Sequence, residues 1–233
     1  QLKSPTPDLV KALLINTADG KEHDNRLGWG SPCLKSSTPW ECPEGSVTLI
    51  WTASLRAGLW HYWEDIPIPP ELVADNKLKG SVALTAILRP KVSELGSANY
   101  FSTRLQVALQ YTKPDGKMGN LAGSMKESTD REEQARVEHA KWNPIRHHET
   151  TIPNGRAFSG STLRVCARIF GRDLYQFGIS NNSEIEESPV AFALTLSAPS
   201  GNPSSSIYNS VAMSLGNYVE SAVNDIEVDV SSA

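Results

Sequence analysis

Apolar positions along the chain follow two regimes. Between residues 4 and 20 they recur at helical spacing: Val10, Leu13, Leu14 and Thr17 share a face that Leu9 and Ala12 widen. Ser4-Pro5-Thr6-Pro7 supplies a hydroxyl cap with proline at the first helical position, where a missing N–H costs nothing. Asp8 complements the positive end of the helix dipole, and Gly20 is the expected stop. Leu9, Val10, Ala12, Leu13, Leu14 and Ile15 leave this helix little polar surface, so it needs cover on more than one side.

From Ser46 the period changes to two. Val47 to Thr52 and Val82 to Leu88 are β-branched or apolar runs, and Leu105, Val107, Leu109 and Tyr111 alternate with polar neighbours. Leu163, Val165, Ala167 and Ile169 alternate against Arg164, Cys166, Arg168 and Phe170. Val190 to Leu196 is a further strand, with Phe192, Leu194 and Leu196 inward. Trp60 to Ile66, Val137 to Trp142, Ser210 to Leu215 and Ile226 to Val230 complete a set of eight or nine strands. Almost no helical pattern separates them, and parallel crossovers need helices, so antiparallel pairing is expected.

The separators agree. Pro67-Ile68-Pro69-Pro70 must leave the ladder, and Lys113-Pro114-Asp115-Gly116 is a turn signal behind a strong strand. Asn181 to Ser183 and Ser197 to Ser206 are loops by composition, and residues 125 to 136 are charge-dense with few apolar positions. The economical fold is mainly β: an antiparallel sandwich of jelly-roll type preceded by one helix.

Composition changes this picture little. A chain of 233 residues buries enough surface for a core without staples, and 39% hydrophobic against 21% charged residues is ordinary globular usage. With 22 basic and 26 acidic side chains the net charge is −4, which gives no electrostatic ground for a nucleic-acid or anionic-membrane partner. Apolar runs such as Ala12 to Ile15 fall far short of the roughly 20 residues of a membrane-spanning helix. The chain opens on Gln1-Leu2-Lys3-Ser4, which reads as a cut inside a longer protein.

Candidate chemistry is sparse. Cys33 and Cys42 lie nine apart and are close enough to close a small ring or to stay reduced, while Cys166 sits in a strand pattern. No CxxC pair suggests a zinc site, and His23, His61, His139, His147 and His148 fall in no metal-binding spacing. His147 and His148 in one strand point to opposite faces. Glu184, Glu186 and Glu187 lack calcium-loop spacing, and Asp225, Glu227 and Asp229 alternate with apolar residues as in a half-exposed strand. Ser159-Gly160-Ser161-Thr162 precedes a strand and lacks a nucleophile elbow, and no serine accompanies His23-Asp24. No cofactor is expected.

The tryptophans offer one surface. In Leu59-Trp60-His61-Tyr62-Trp63, strand geometry sets Trp60 and Tyr62 on one face and His61 and Trp63 on the other. Trp60, Tyr62 and Trp63 are the candidate binding platform for sugar or peptide, against the alternative that they fill the core or an interdomain seam.

The stretch Ser4-Pro5-Thr6-Pro7-Asp8-Leu9-Val10-Lys11-Ala12-Leu13-Leu14-Ile15-Asn16-Thr17-Ala18, followed by Gly28-Trp29-Gly30, resembles the end of the peptidase domain in subtilisin-like serine proteases. There a Pro-capped helix follows the catalytic-serine helix. The order of this helix, a Gly-Trp-Gly turn and then an all-β segment is similar to bacterial subtilases with a C-terminal β-sandwich. The likeness covers about 30 residues. It implies that residues 1–30 are the remnant of an α/β peptidase domain, 31–45 a linker, 46–198 the sandwich, and 199–233 a loop with terminal strands. The family's Asp, His and Ser motifs have no matching positions here, so no catalytic residue carries over. The implied role is a non-catalytic accessory domain whose partners are its own catalytic domain and a protein substrate. The rival expectation is a carbohydrate- or peptide-binding sandwich using the surface aromatics.

Overall fold

The computed structural model describes residues 5–20, 23–24, 26–33, 45–90, 103–125, 143–171, 187–199 and 207–215. In chain order the elements are α1 (Pro7–Asn16), β1 (Ser46–Arg56), β2 (Trp60–Pro67), a 3-10 turn at Pro70–Leu72, β3 (Val73–Ala74), β4 (Lys77–Leu88), β5 (Thr103–Thr112), β6 (Met118–Gly123), β7 (Ile145–Ala157), β8 (Thr162–Gly171), β9 (Glu187–Ser197) and α2 (Ile207–Leu215). The first sheet runs β1-β9-β4-β7, with β3 a two-residue arm folded back on β4; the second runs β2-β8-β5-β6. Every strand pair is antiparallel. Only the steps β3 to β4 and β5 to β6 stay within a sheet; every other step changes sheet and crosses the core. This is an antiparallel β-sandwich of jelly-roll type.

Period-two patterning builds the core. Val82, Leu84 and Ala86 of β4 and Val190, Phe192 and Leu194 of β9 meet Leu105, Val107 and Leu109 of β5 and Leu163, Val165 and Ala167 of β8. Phe192 is fully buried, stacked on Trp51 at 4.9 Å and against Trp63 at 4.8 Å between centroids. Trp63 therefore belongs to the core, which removes it from the expected platform.

Turn chemistry fixes the register. Asp75 and Asn76 both take positive φ between β3 and β4, the geometry a two-residue hairpin needs to match strand twist. The Lys113-Pro114-Asp115-Gly116 signal forms the β5–β6 turn, where the Asp115 carboxylate accepts from the Lys117 N–H at 3.1 Å.

Three expectations about elements change. Ser210 to Leu215 is helix, because Ile207 and Val211, one turn apart, sink together into the core and Ser214 bonds back to the Ser210 carbonyl. Residues 118–123 and 145–157 are strands that the apolar pattern hides. Along β7 the inward side chains include Arg146, donating to the Leu105 carbonyl at 2.6 Å, and His148, against Gly123. Helix α1 ends at Asn16 with Thr17 as its C-cap, short of Gly20. Val137 to Trp142, Ile226 to Val230 and most of the charge-dense run lie outside the described residues.

Helix α1 begins at the expected cap. Thr6 accepts from the Leu9 N–H at 3.3 Å and Pro7 opens the first turn. It lies on the outer face of the first sheet. Leu9, Ala12 and Ile15 are buried there with Ile87, Ala191 and Ala193, while Ile50, Ile145 and Leu13 pack at the edge. Ala191 and Ala193 are the reason a helix fits, since small outward side chains let its backbone come close. The buried residues are Leu9, Ala12, Ile15 and Asn16, so of the expected face Leu9 and Ala12 are buried, whereas Val10, Leu13, Leu14 and Thr17 are not. Val10 remains 41% exposed and Leu14 half-buried. The sandwich covers one side of the helix and leaves the other open.

Candidate functional site

Two places on the molecule concentrate polar chemistry. The first is the seam beneath α1. Asn16 is almost fully buried and reaches Thr195 Oγ1 at 2.6 Å and Thr85 Oγ1 at 2.9 Å. With its amide turned so that oxygen and nitrogen both find complementary partners, Oδ1 accepts from Thr195 and Nδ2 donates to Thr85 and to the Ala83 and Ala193 carbonyls. Thr85 then donates to His147 Nδ1 at 2.8 Å, and Thr48 joins Thr195 at 2.8 Å. A chain of bonds from Thr48 to His147 thus clamps the last turn of the helix to β1, β9, β4 and β7.

His147 suits this acceptor role because burial lowers its pKa and keeps it neutral, against the opposing pull of Glu149. Its Nε2 is buried without a partner, and the ring meets Trp29 edge-on at 5.3 Å. Beyond the helix end, Asn16, Thr48, Ser81, Glu149, Thr195 and Ser197 line an open cleft of about 350 Å³. Hydroxyls, the Asn16 amide and the Glu149 carboxylate line it, and among the described residues no hydrogen bond pairs one of its hydroxyls with that carboxylate.

The second place is the outer face of the second sheet. Trp60 and Tyr62 of β2 point outward, 44% and 48% exposed, with their rings nearly parallel and 6.4 Å between centroids. The Arg164 guanidinium lies 4.7 Å from the Tyr62 ring, and Arg168 lies 5.2 Å from Trp60 and 4.5 Å from Phe170. Arg104 stands 4.4 Å from Phe170. The contacts run unbroken across three strands: Arg164, Tyr62, Trp60, Arg168, Phe170, Arg104. Register creates this order, since Trp60 faces Arg168 across β2–β8 and Phe170 faces Arg104 across β8–β5.

The arginines of this ladder differ. Arg164 bonds Gln110 Oε1 through Nε at 3.1 Å and Nη2 at 2.9 Å, and reaches Glu64 at 3.3 Å. Among the described residues Arg168 makes no hydrogen bond or ion pair; its Nε is buried without a partner, as is Oε1 of Gln106 directly across the ladder. Cys166, between the two arginines on β8, is buried, and its pKa is raised to about 11 by desolvation, so it is a protonated, unreactive thiol.

The other candidate residues separate. The Asp24 carboxylate accepts from the N–H groups of Leu27 and Arg26, which hold its pKa down, so it closes a turn. His23 packs edge-on against Trp29 at 5.3 Å, and among the described residues no serine hydrogen bond joins them. Ser159 Oγ donates to the Lys113 carbonyl at 2.8 Å. Among the described residues no group of three or more His, Cys, Asp or Glu side chains is arranged to hold a metal. Cys42 and His139 lie outside the described residues, and so does the partner half of a Cys33–Cys42 ring. Sequence reasoning found Trp60 and Tyr62 but missed the arginine ladder. The signal was present as Arg164, Cys166, Arg168 and Phe170 at every second position opposite the polar side of β5.

No family model matches the chain, and no curated protein does. Among solved structures, the infectious bursal disease virus VP2 subviral particle is similar at 10% identity and a TM-score of 0.32, over 70% of this chain and 34% of that one. A structure of the Gx strain of the same virus is similar at 10% identity and a TM-score of 0.27, over 69% and 34%. The chain thus spans about a third of either structure, and neither likeness carries an argument about function.

Proposed function

We propose that this chain is the non-catalytic C-terminal accessory region of a subtilisin-like serine endopeptidase. Residues 1–30 derive from the end of the peptidase domain, and the sandwich caps that domain or presents substrate to it. The supporting observation is the seating of α1. The residues that resemble the subtilase helix form an element that is apolar on more than one side yet covered on one, with Val10 open and Leu14 half-buried. A catalytic domain resting on that open flank would complete its burial.

The test uses the full-length parent. It should hydrolyse peptide bonds and take up a serine-directed fluorophosphonate, whereas the 233-residue chain should do neither, since the family's Asp, His and Ser motifs have no matching positions in it. An intact, folded parent without either property removes the reading.

A second reading, a binding module, is favoured by the exposure of Trp60 and Tyr62. Glycan stacking needs a free ring face. Here Arg168 lies over Trp60, Arg164 over Tyr62, and the two rings lie parallel to each other, which favours a polypeptide ligand over a sugar.

A further inference from the structure

We infer that Arg168 and its flanking rings form a carboxylate-binding slot, and that the outer face of the second sheet docks an extended partner segment alternating acidic and apolar side chains. The inference stands on the ladder itself and does not need the parent to be a peptidase.

The slot is built. A guanidinium flanked by Trp60 and Phe170 is held in position by its ring contacts, and with Nε buried its two terminal Nη groups are the edge left to a ligand. Such an edge matches a carboxylate with two parallel hydrogen bonds, and the rings strip competing water from it. Arg168 has no carboxylate of its own. Its opposite neighbours are Trp60 and Gln106, and Glu64, the acidic side chain bonded within the ladder, is engaged by Arg164. Among the described residues the ladder's printed ion pair is Arg164 with Glu64, so Arg168 adds a positive charge to this face of a chain of net charge −4.

The surroundings choose among anions. Leu59, Trp60 and Tyr62 are all close to half exposed, so apolar surface lies next to the slot. A nucleic-acid backbone gains little from that surface and is repelled by the overall charge. A peptide that alternates glutamate with leucine satisfies both the guanidinium and the rings, as an extended chain presenting every second side chain to one face.

The experiment titrates the full chain into a fluorescein-labelled nonapeptide alternating glutamate and leucine, at low salt, and reads polarisation. Saturable binding is expected, weakened about tenfold or more when glutamine replaces glutamate in the peptide. Arg168→Gln and Arg168→Lys should each weaken it about as much, because lysine keeps the charge but loses the stacked fork. Trp60→Ala, at an exposed position, should weaken it about threefold or more and serves if either Arg168 variant fails to fold. No saturable binding, equal binding of the glutamine peptide, undiminished binding by the folded variants, or tighter binding of an oligonucleotide of the same charge would each overturn the proposal.

Discussion

The two sheets of the sandwich share one apolar core and differ in their outer faces. Outside the first sheet, Ile50, Ile87, Ala191 and Ala193 are apolar, the two on β9 small, and α1 lies on them. Outside the second, the equivalent positions hold Trp60, Tyr62, Arg164, Arg168 and Arg104, which stack on one another. The difference shows how a jelly roll assigns its surfaces. Small apolar residues cannot shield themselves and require a covering element, whereas long cationic and aromatic side chains cover the strands beneath and keep their polar ends available.

The common inner layer can be broken most severely at its centre. Phe192→Ala removes the ring between Trp51 and Trp63, and should cost about 3–5 kcal/mol in urea-unfolding experiments. An effect that large marks the core that both outer faces depend on.

Acid should act next, through β7. Burial lowers the His148 pKa from 6.5 to about 4, with help from Arg146 and His147, and moves His147 the same way. Both rings are therefore favoured neutral in the folded state. Their contribution is complete above about pH 6.5 and is lost as the pH falls from there toward about 4. Stability should drop by on the order of 1–3 kcal/mol over that window, and His148→Gln should flatten the profile.

The helix-covered face is sharpened by Asn16→Ala. Losing the clamp leaves Thr85 and Thr195 without their shared partner and should cost about 1–3 kcal/mol. Hydrogen exchange should show the loss in amides of residues 9–16, with Val107 and Phe192 protected as before. The ladder face should respond least: Tyr62→Ala removes an exposed ring and is expected to change stability by less than about 1 kcal/mol.

Legibility in the sequence followed the same division. Strand β5 was readable because Leu105, Val107, Leu109 and Tyr111 all face the core. Strand β7 was not, because it places Arg146 and His148 inward at the β6 edge, where the core is polar, and carries Pro153 and Gly155. Strand β6 is short and has Gly119 and Gly123 where apolar side chains would reveal a strand. The aromatic half of the ladder was visible as Trp60 and Tyr62 at alternate positions. Its cationic half depends on which strands become neighbours, and Arg104 and Arg168 lie 64 residues apart before register joins their strands. The Asn16 clamp was hidden for the same reason, since Thr85, His147 and Thr195 meet only once three strands are in order.

The open flank of α1 is the feature on which the proposed origin of the chain rests, and Val10 reports it. In a background with Cys33→Ser and Cys42→Ser, Val10→Cys should be alkylated rapidly in the 233-residue chain and at least about tenfold more slowly in the full-length parent. Equal alkylation rates in the two proteins would contradict the account.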